Sequence, residues 1–370
     1  MKTHFHGVDK HSTHLTITTI IESGEIVQFK SRCEDFQGYI RTLSESDAIA
    51  IESGNMTFFI ADAMEKTGAS VYVIDPRRFS IITKSTKKTD KNDSVSLAFS
   101  LRNFIQDIAM AALPLVYKPE KEIRELRRMF SGHETLKKSM IQLKNTIIGM
   151  IRDTGYRISN DEKKLLFHPK KGMEKLEELG LLGPDYTVIK ALLISLHSLM
   201  VQKEYLKDEI VCFGGFLKKE VTLLISIKGV SPFPALAFLA DIGDISRFKN
   251  IRKLNAYLGV VPVTRSSGKH TFQGHIIRSS RSLTRTLFTQ AVPHIGKSSE
   301  SISKWYSSVR KRRGTGRGRI ALVRKIVKIM RRMLLEQELY RWCDQESYKI
   351  KLVSYNRILK KKEATQTKVA

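Results

Sequence analysis

Lys87 to Ser94 reads KKTDKNDS, with two carboxylates, Asp90 and Asp93, three residues apart inside a basic run. On a helix, an i, i+3 pair shares one face. Acids gathered on one face repel each other unless cations sit between them, and hard oxygen ligands suit Mg²⁺ or Mn²⁺. Two more acids stand beside apolar stretches upstream: Asp9 in HGVDKH, beside the first strand, and Glu52 closing DAIAIES. In a parallel sheet the strand ends gather at one edge, so Asp9 and Glu52 can converge there. Four such carboxylates holding divalent ions could clamp the attacking and leaving oxygens of a phosphodiester. Lys87, Lys88 and Lys91 would then meet phosphate. The plainer alternative makes Asp90 an N-cap and Asp93, at N3, a partner of the helix dipole. His4, His6, His11 and His14 cluster near Asp9. A zinc site there lacks a second ligand cluster in the sequence, so surface histidines beside the acids are expected.

Residues 1–105 must position these acids. His6 to Phe29 is expected to form a strand pair turned at SGE, followed by a short helix over Cys33–Leu43. Asp47–Ser53 and Ser70–Asp75 are apolar strands, and Met56–Lys66 is a helix that Gly68 stops. Pro76 ends the second of these strands, and a further helix starts near Asp90 and runs through Leu101. Strands alternating with helices imply a mostly parallel sheet, made mixed by the pair at the front.

The 370 residues carry 64 Lys plus Arg against 37 Asp plus Glu, a net charge of +27. Residues 1–105 hold 13 of each sign, so the whole net positive charge lies beyond them. A neutral chemistry domain followed by basic binding domains points to a polyanion, and nucleic acid is the commonest one. Cys33, Cys212 and Cys343 are too far apart for a disulfide framework or a zinc pattern. No secretory opening and no run of eighteen apolar residues appear, so a soluble cytoplasmic protein without membrane partners is expected.

From Glu120 to about Leu224 the pattern is helical. Leu136, Met140, Leu143, Ile147 and Ile151 form one seam; Leu192, Leu196, Leu199, Leu206 and Ile210 form another. These suit two long antiparallel helices, either a hairpin packed on itself or a coiled-coil arm that dimerises. Next comes a helix–turn–helix pattern with Gly229 at its turn and Pro232 opening the second helix, resembling a helix-hairpin-helix whose turn amides meet phosphate. Trp305 to Leu335 holds eleven Lys or Arg and no acid. It reads as a flexible basic loop over Arg310–Arg319, then a basic amphipathic helix to Arg332, suited to phosphate backbones. LKKKEATQTKVA at the end reads as a disordered tail.

GVDKH, IESG and KKTDKND, followed by ADIGDISRFKNIRKLNAYLGVVPVTRSSGKH, resemble the DEDD transposases of the insertion-sequence family one-ten. The likeness spans roughly residues 5–105 and 220–300. It implies a ribonuclease-H-like (RuvC-like) mixed α/β domain over 1–105 and a mainly helical serine transposase domain over 223–345; the helical seams place a coiled-coil arm over 106–222, and a basic, disordered tail is expected over 346–370. Carried over by position, the family's four metal-binding acids fall on Asp9, Glu52, Asp90 and Asp93. Its nucleophile falls on Ser267, directly before the glycine of RSSGKH, with Ser266 the neighbouring rival. The turn at Gly229-Val230-Ser231 lacks the family's second glycine, and Ser266 replaces its usual glutamine.

The expected activity is Mg²⁺- or Mn²⁺-assisted DNA cutting and rejoining through a phosphoserine link. The resemblance also implies a structured guide RNA that pairs with donor and target DNA; the two apolar seams lead to the expectation of a homo-oligomer, and a nucleoid location in a bacterial or archaeal cell is expected. Nucleic-acid contacts are expected from Lys87, Lys88, Lys91, Gly229, Arg265, Lys269, Arg310, Lys311, Arg312, Arg313, Arg317, Arg319, Arg324, Lys325 and Lys328. A DNA invertase of the same architecture and a hydrolytic junction resolvase that dispenses with Ser267 are the alternatives.

Overall fold

The computed structural model describes residues 2–83, 89–108, 112–267, 270–276 and 281–366, with the side chains at 31, 80–83, 264–267, 270–273, 275 and 361–366 outside the description. The chain divides into two compact units, Met1–Lys118 and Pro119–Ala370.

In the first unit, strands β1 (His4–Lys10), β2 (Leu15–Ile21) and β3 (Ile26–Cys33) precede helix α1 (Phe36–Arg41). Then come β4 (Asp47–Glu52), α2 (Thr57–Glu65), β5 (Ser70–Ile74), α3 (Pro76–Thr83) and α4 (Asp90–Ile105). The sheet order is β3-β2-β1-β4-β5. β2 runs antiparallel to both its neighbours, while β1, β4 and β5 are parallel. Strand side chains alternate between faces. Val8, Ile17, Ile49 and Ile51 pack with Tyr39, Ile60 and Met64 on one face. Phe5, Ala48, Ala50 and Ile74 pack with Leu97, Ala98 and Leu101 of α4 on the other. Each large apolar side chain so buried contributes roughly 1.5–3 kcal/mol.

Two expectations are corrected here. Three strands open the unit, not two, so Asp9 lies within β1 rather than beside the first strand. Pro76 does not merely end β5; it opens α3, where the missing proline N–H is not needed and Asp75 Oδ1 accepts from Arg77 N at 3.0 Å.

The second unit begins with α5 (Lys121–Asp153) and returns along α8 (Gly183–Phe213), with short helices α6 (Asn160–Leu166) and α7 (Gly172–Glu178) between them. At about 1.5 Å per residue each long helix spans roughly 45–50 Å. Met140, Ile147 and Ile151 meet Ile189, Leu193 and Leu196 at one end, together with Leu166 and Leu176. Leu126 and Phe130 meet Ile210 and Val211 at the other, so the two helices are antiparallel. The seam on α8 is shifted: Ile189 and Leu193 are buried, whereas Leu192 and Leu199 are only partly so.

The end holding Phe130 and Ile210 belongs to a larger core built from α9 (Lys218–Leu224), α10 (Pro232–Ile242), α11 (Ile251–Tyr257), α12 (Leu283–Ile295), α13 (Glu300–Glu336) and α14 (Gln345–Gln366). The expected helix–turn–helix is α9, the turn at Gly229 and α10. Gly229 has φ 87°, and a Cβ there would lie 2.7 Å from Ile295 N, so close packing on the end of α12 demands glycine. The residues expected to trail off in disorder are instead helical through Gln366. Tyr355 of α14 is fully buried, and Lys351 Nζ donates to the carbonyls of Ile225, of Ile227 (2.9 Å) and of Val230 (3.2 Å).

The basic run is not a loop either. α13 is broken at Gly314, whose φ of 79° and ψ of 165° are non-helical. A Cβ on Gly318 would sit 3.2 Å from Arg310 Cα, and Lys325 Nζ lies 4.2 Å from the Trp305 ring centroid. In a straight helix these pairs would be roughly 12 and 30 Å apart. Both pairs mirror across Gly314, so the limbs 300–313 and 315–336 fold back as a helical hairpin. Ile302 and Val309 from the first limb and Leu322, Val323 and Ile326 from the second are buried.

Candidate active site

Strand parity puts the first two acids on a common face. Asp9 shares the face of Phe5 and Gly7, and Glu52 that of Ala48 and Ala50, all toward α4. The register pairs Val8 with Ile51, so Asp9 and Glu52 follow side by side at the ends of parallel neighbours. Gly7 sets the distance to α4: a Cβ there would lie 1.9 Å from Ser94 O and 2.5 Å from Ala98 N. The helix backbone therefore rests on β1 itself. Ser94 Oγ donates to Lys91 O at 3.0 Å and lies 2.8 Å from Thr18 Oγ1 on β2, fixing the first turn of α4.

That first turn carries Asp90 and Asp93. The cap is Thr89, whose hydroxyl accepts from Asn92 N at 3.2 Å. Asp90 is thus N1 and Asp93 N4, correcting the alternative that made Asp90 the cap and Asp93 N3. Relieved of capping, Asp90 turns toward β1. His11 Nε2 bridges it to the strand, 3.3 Å from Asp9 Oδ2 and 3.4 Å from Asp90 Oδ2. Burial pushes the Asp9 carboxyl above its ordinary value; the His11 imidazole pulls it down, and the Asp90 and Asp93 carboxylates raise it further. Asp9, Asp90 and Asp93 therefore feel one another's charge, with His11 among them. Glu52 joins them by register and face.

His11 is the residue the sequence undervalued. His6, expected at the surface, is buried instead, with Nε2 3.1 Å from Asp47 Oδ1 and Nδ1 3.0 Å from both Thr19 Oγ1 and Tyr39 Oη. Burial alone would raise Asp47, yet hydrogen bonds from His6 and Ser44 outweigh it and bring the carboxyl down to about 2. This network is a fixture of the β1–β4 pairing away from the acids.

Of the expected basic contacts, Lys87, Lys88 and Lys269 lie outside the described residues. Lys91 is exposed beside Asp90, its ammonium 5.3 Å from the Phe29 ring centroid.

Ser267 ends β6 (Pro262–Ser267), which pairs antiparallel with β7 (His270–Ile276), Ser267 facing His270 and Arg265 facing Phe272. The Ser266, Ser267 and Arg265 side chains lie outside the described residues. The base of this hairpin is anchored: Arg281 N donates to Tyr257 O at 3.1 Å and Arg285 Nη1 to Gly259 O at 2.8 Å. Asp241, buried and pushed upward by that burial, accepts from Thr284 N at 2.9 Å and Thr284 Oγ1 at 2.7 Å, capping α12.

Residues 221–307, from α9 through this hairpin into α13, match the family model described as the transposase IS116/IS110/IS902 family. That segment carries the transposase signature. Over longer spans the chain is similar to the transposase for insertion sequence element IS1111A of Coxiella burnetii, 25% identical over 284 residues, 74% of each chain. It is also similar to a probable family 20 transposase of Pseudomonas aeruginosa, 21% identical over 340 residues, 91% of this chain and 94% of that one. These likenesses are to transposases, over residues 221–307 for the family model and over most of the chain for the two relatives. The transposase segment contains Ser267, whereas the four acids lie in the first unit.

At the hairpin of α13, Arg310, Lys311, Arg312, Arg313, Arg317 and Arg319 are all exposed at the tip, and none makes an ion pair among the described residues. Arg324 and Lys328 are exposed farther along, while Lys325 is half-buried against Trp305. No described helix is long and apolar enough to cross a membrane.

Proposed function

We propose that this transposase cuts and rejoins DNA through a covalent phosphoserine link formed by Ser267. The observation that carries the reading is the pairing of a transposase segment around Ser267 with a carboxylate-lined strand edge in the same chain. The sheet order β3-β2-β1-β4-β5 with β2 reversed supports a ribonuclease-H-like first unit. Oxygen donors from Asp9, Glu52, Asp90 and Asp93 suit Mg²⁺ or Mn²⁺, and the upward push on Asp9 by its acidic neighbours is the repulsion such a cation relieves. When bound, the ions supply charge stabilisation at the phosphodiester.

Ser267 Oγ attacks phosphorus, losing its proton as the P–O bond to the leaving sugar breaks, and that sugar oxygen takes up a proton. The bond energy stays in the phosphoserine, and a returning DNA hydroxyl reverses the step. The basic hairpin tip, with Arg324 and Lys328, is suited to phosphate backbones of DNA and of the structured RNA that the resemblance implies. A homo-oligomer is favoured by an outward stripe on α8. Thr187, Ala191, Ile194, Ser198, Val201 and Tyr205 step by four and three and are all exposed.

The test is an adduct assay with element-flanking RNA, labelled target DNA and Mg²⁺, followed by denaturation. Labelled DNA attached to protein, lost in Ser267→Ala and Asp90→Asn, is the expected result. Cleavage without an adduct that persists in Ser267→Ala would instead make the chain a hydrolytic nuclease.

A further inference from the structure

The sequence offered imidazoles near Asp9 but no second set of ligands. The fold supplies them from far along the chain. His11, His14 and Asp90 each bring one potential ligand atom within 4.8 Å of the others. Asp9 Oδ2 lies 3.3 Å from His11 Nε2, the nitrogen that lies 3.4 Å from Asp90 Oδ2, but Asp9 stands outside that mutual group and flanks it.

Several features distinguish this group from a chance surface cluster. His11 N donates to His14 O at 3.0 Å, closing the β1–β2 turn so that both rings leave it on the same side. The rings stack with centroids 4.5 Å apart and planes 25° apart. His14 Nδ1 lies 3.2 Å from Thr13 Oγ1, which engages one nitrogen and leaves Nε2 for a ligand. His11 Nε2 is buried and makes no hydrogen bond of good geometry, although two carboxylates flank it. Its separations from them exceed an ordinary N–H···O distance. The one to Asp90 equals the edge of a tetrahedron: ligands at ~2.0–2.1 Å from one Zn²⁺ stand about 3.3–3.4 Å apart. Octahedral Mg²⁺ at a similar bond length would hold neighbouring ligands at about 3.0 Å.

We propose that His11, His14 and Asp90 form a binding site for a tetrahedral borderline cation of the zinc class, with the fourth position open and Asp9 beside it, separate in ligand chemistry from the Mg²⁺ reading. Two nitrogens and one carboxylate oxygen with an open fourth position are a zinc set, and imidazole is a poor ligand for Mg²⁺. Asp90 is 61% exposed, which leaves an entry path from solvent. The consequence rests on the function proposed above: Asp90 serves both sets, so zinc bound here withdraws one of the four carboxylates and inhibits DNA cutting.

The experiment is Co²⁺ titration of the full chain with excess Mg²⁺ present, read by the visible absorption of the cobalt. Intense tetrahedral bands that Zn²⁺ abolishes, with affinity lowered about 100-fold or more in His11→Ala, are expected, since even outer-shell changes cost 10–100-fold. His14→Ala, at a half-buried position closing the turn, should weaken binding likewise; it decides the matter if circular dichroism shows His11→Ala misfolded. Weak octahedral bands, or intense bands unchanged in the folded variants, overturn the site. The readout is independent of turnover. A histidine-dependent cobalt spectrum without any DNA adduct leaves the site standing and removes the transposase chemistry; an adduct with no such spectrum does the reverse.

Discussion

Replacing Gly7 with alanine tests whether α4 is held against β1 closely enough to define the acid site. The added Cβ would lie 1.9 Å from Ser94 O and 2.5 Å from Ala98 N, against a floor of 3.0 Å for real Cβ contacts. Both obstacles are helix backbone, so no side chain can swing aside, and α4 must move by about 1.1 Å or more. Overpacking of this kind costs about 1–3 kcal/mol and occasionally more, and the rigid obstacles put it at the upper end, about 3 kcal/mol. Amide exchange in β1 and α4 should then speed up about 150-fold, at 1.4 kcal/mol per decade. The displacement also separates Asp90 and Asp93 from Asp9, and a misplacement of about 1 Å can cost 100-fold in rate. Hydrogen exchange by mass spectrometry measures the first effect, and the adduct assay the second. A Gly7→Ala chain with unaltered exchange in both elements would falsify the seating of α4 on β1, and with it the geometric case for the four acids.

Two other outcomes are expected. Asp47 titrates at about 2 when folded and near 3.8 when not, so its contribution is complete above pH 4 and drains away as pH falls through 2. Allowing for screening this amounts to about 1–2 kcal/mol; acid unfolding should show the loss in the parent and not in Asp47→Asn, and parallel curves would contradict it. Replacing Arg310, Lys311, Arg312 and Arg313 with glutamine should flatten the dependence of duplex-DNA affinity on salt by about 3–4 in the log–log slope. An unchanged slope would remove the hairpin tip from the DNA interface.

The elements around the acids were legible because their signals are local. β4 and β5 are continuous apolar runs, Gly68 stops α2, and the pair Asp90–Asp93 marks the start of α4. β1 was harder to read: HFHGVDK mixes polar residues with a glycine. Its His6 is buried in a polar network and its Gly7 beneath a helix, facts that depend on residues 41 and 87 or more positions away. The glycines of RKRRGTGRGR misled in another way. Abundant glycine suggests a loop, yet only Gly314 adopts a backbone unsuited to a helix; Gly318 is there for close approach to Arg310. The approach of His11 to Asp90 spans 79 residues. No periodicity within either stretch encodes it.

The carbonyls held by Lys351 impose an order on synthesis. The turn after α9 is made early, yet Ile225, Ile227 and Val230 are joined by an ammonium that lies 121–126 residues downstream, and Ser226 Oγ receives Tyr340 N from 114 residues away. While the ribosome is still making the intervening helices, those carbonyls lack the Lys351 ammonium, although Ile227 O can already accept from Val230 N, 3.1 Å away in the folded chain. The packing of this turn is therefore complete only after residue 351 has emerged, so a chain cut short before that point should leave the turn after α9 more open to proteases than in the full chain.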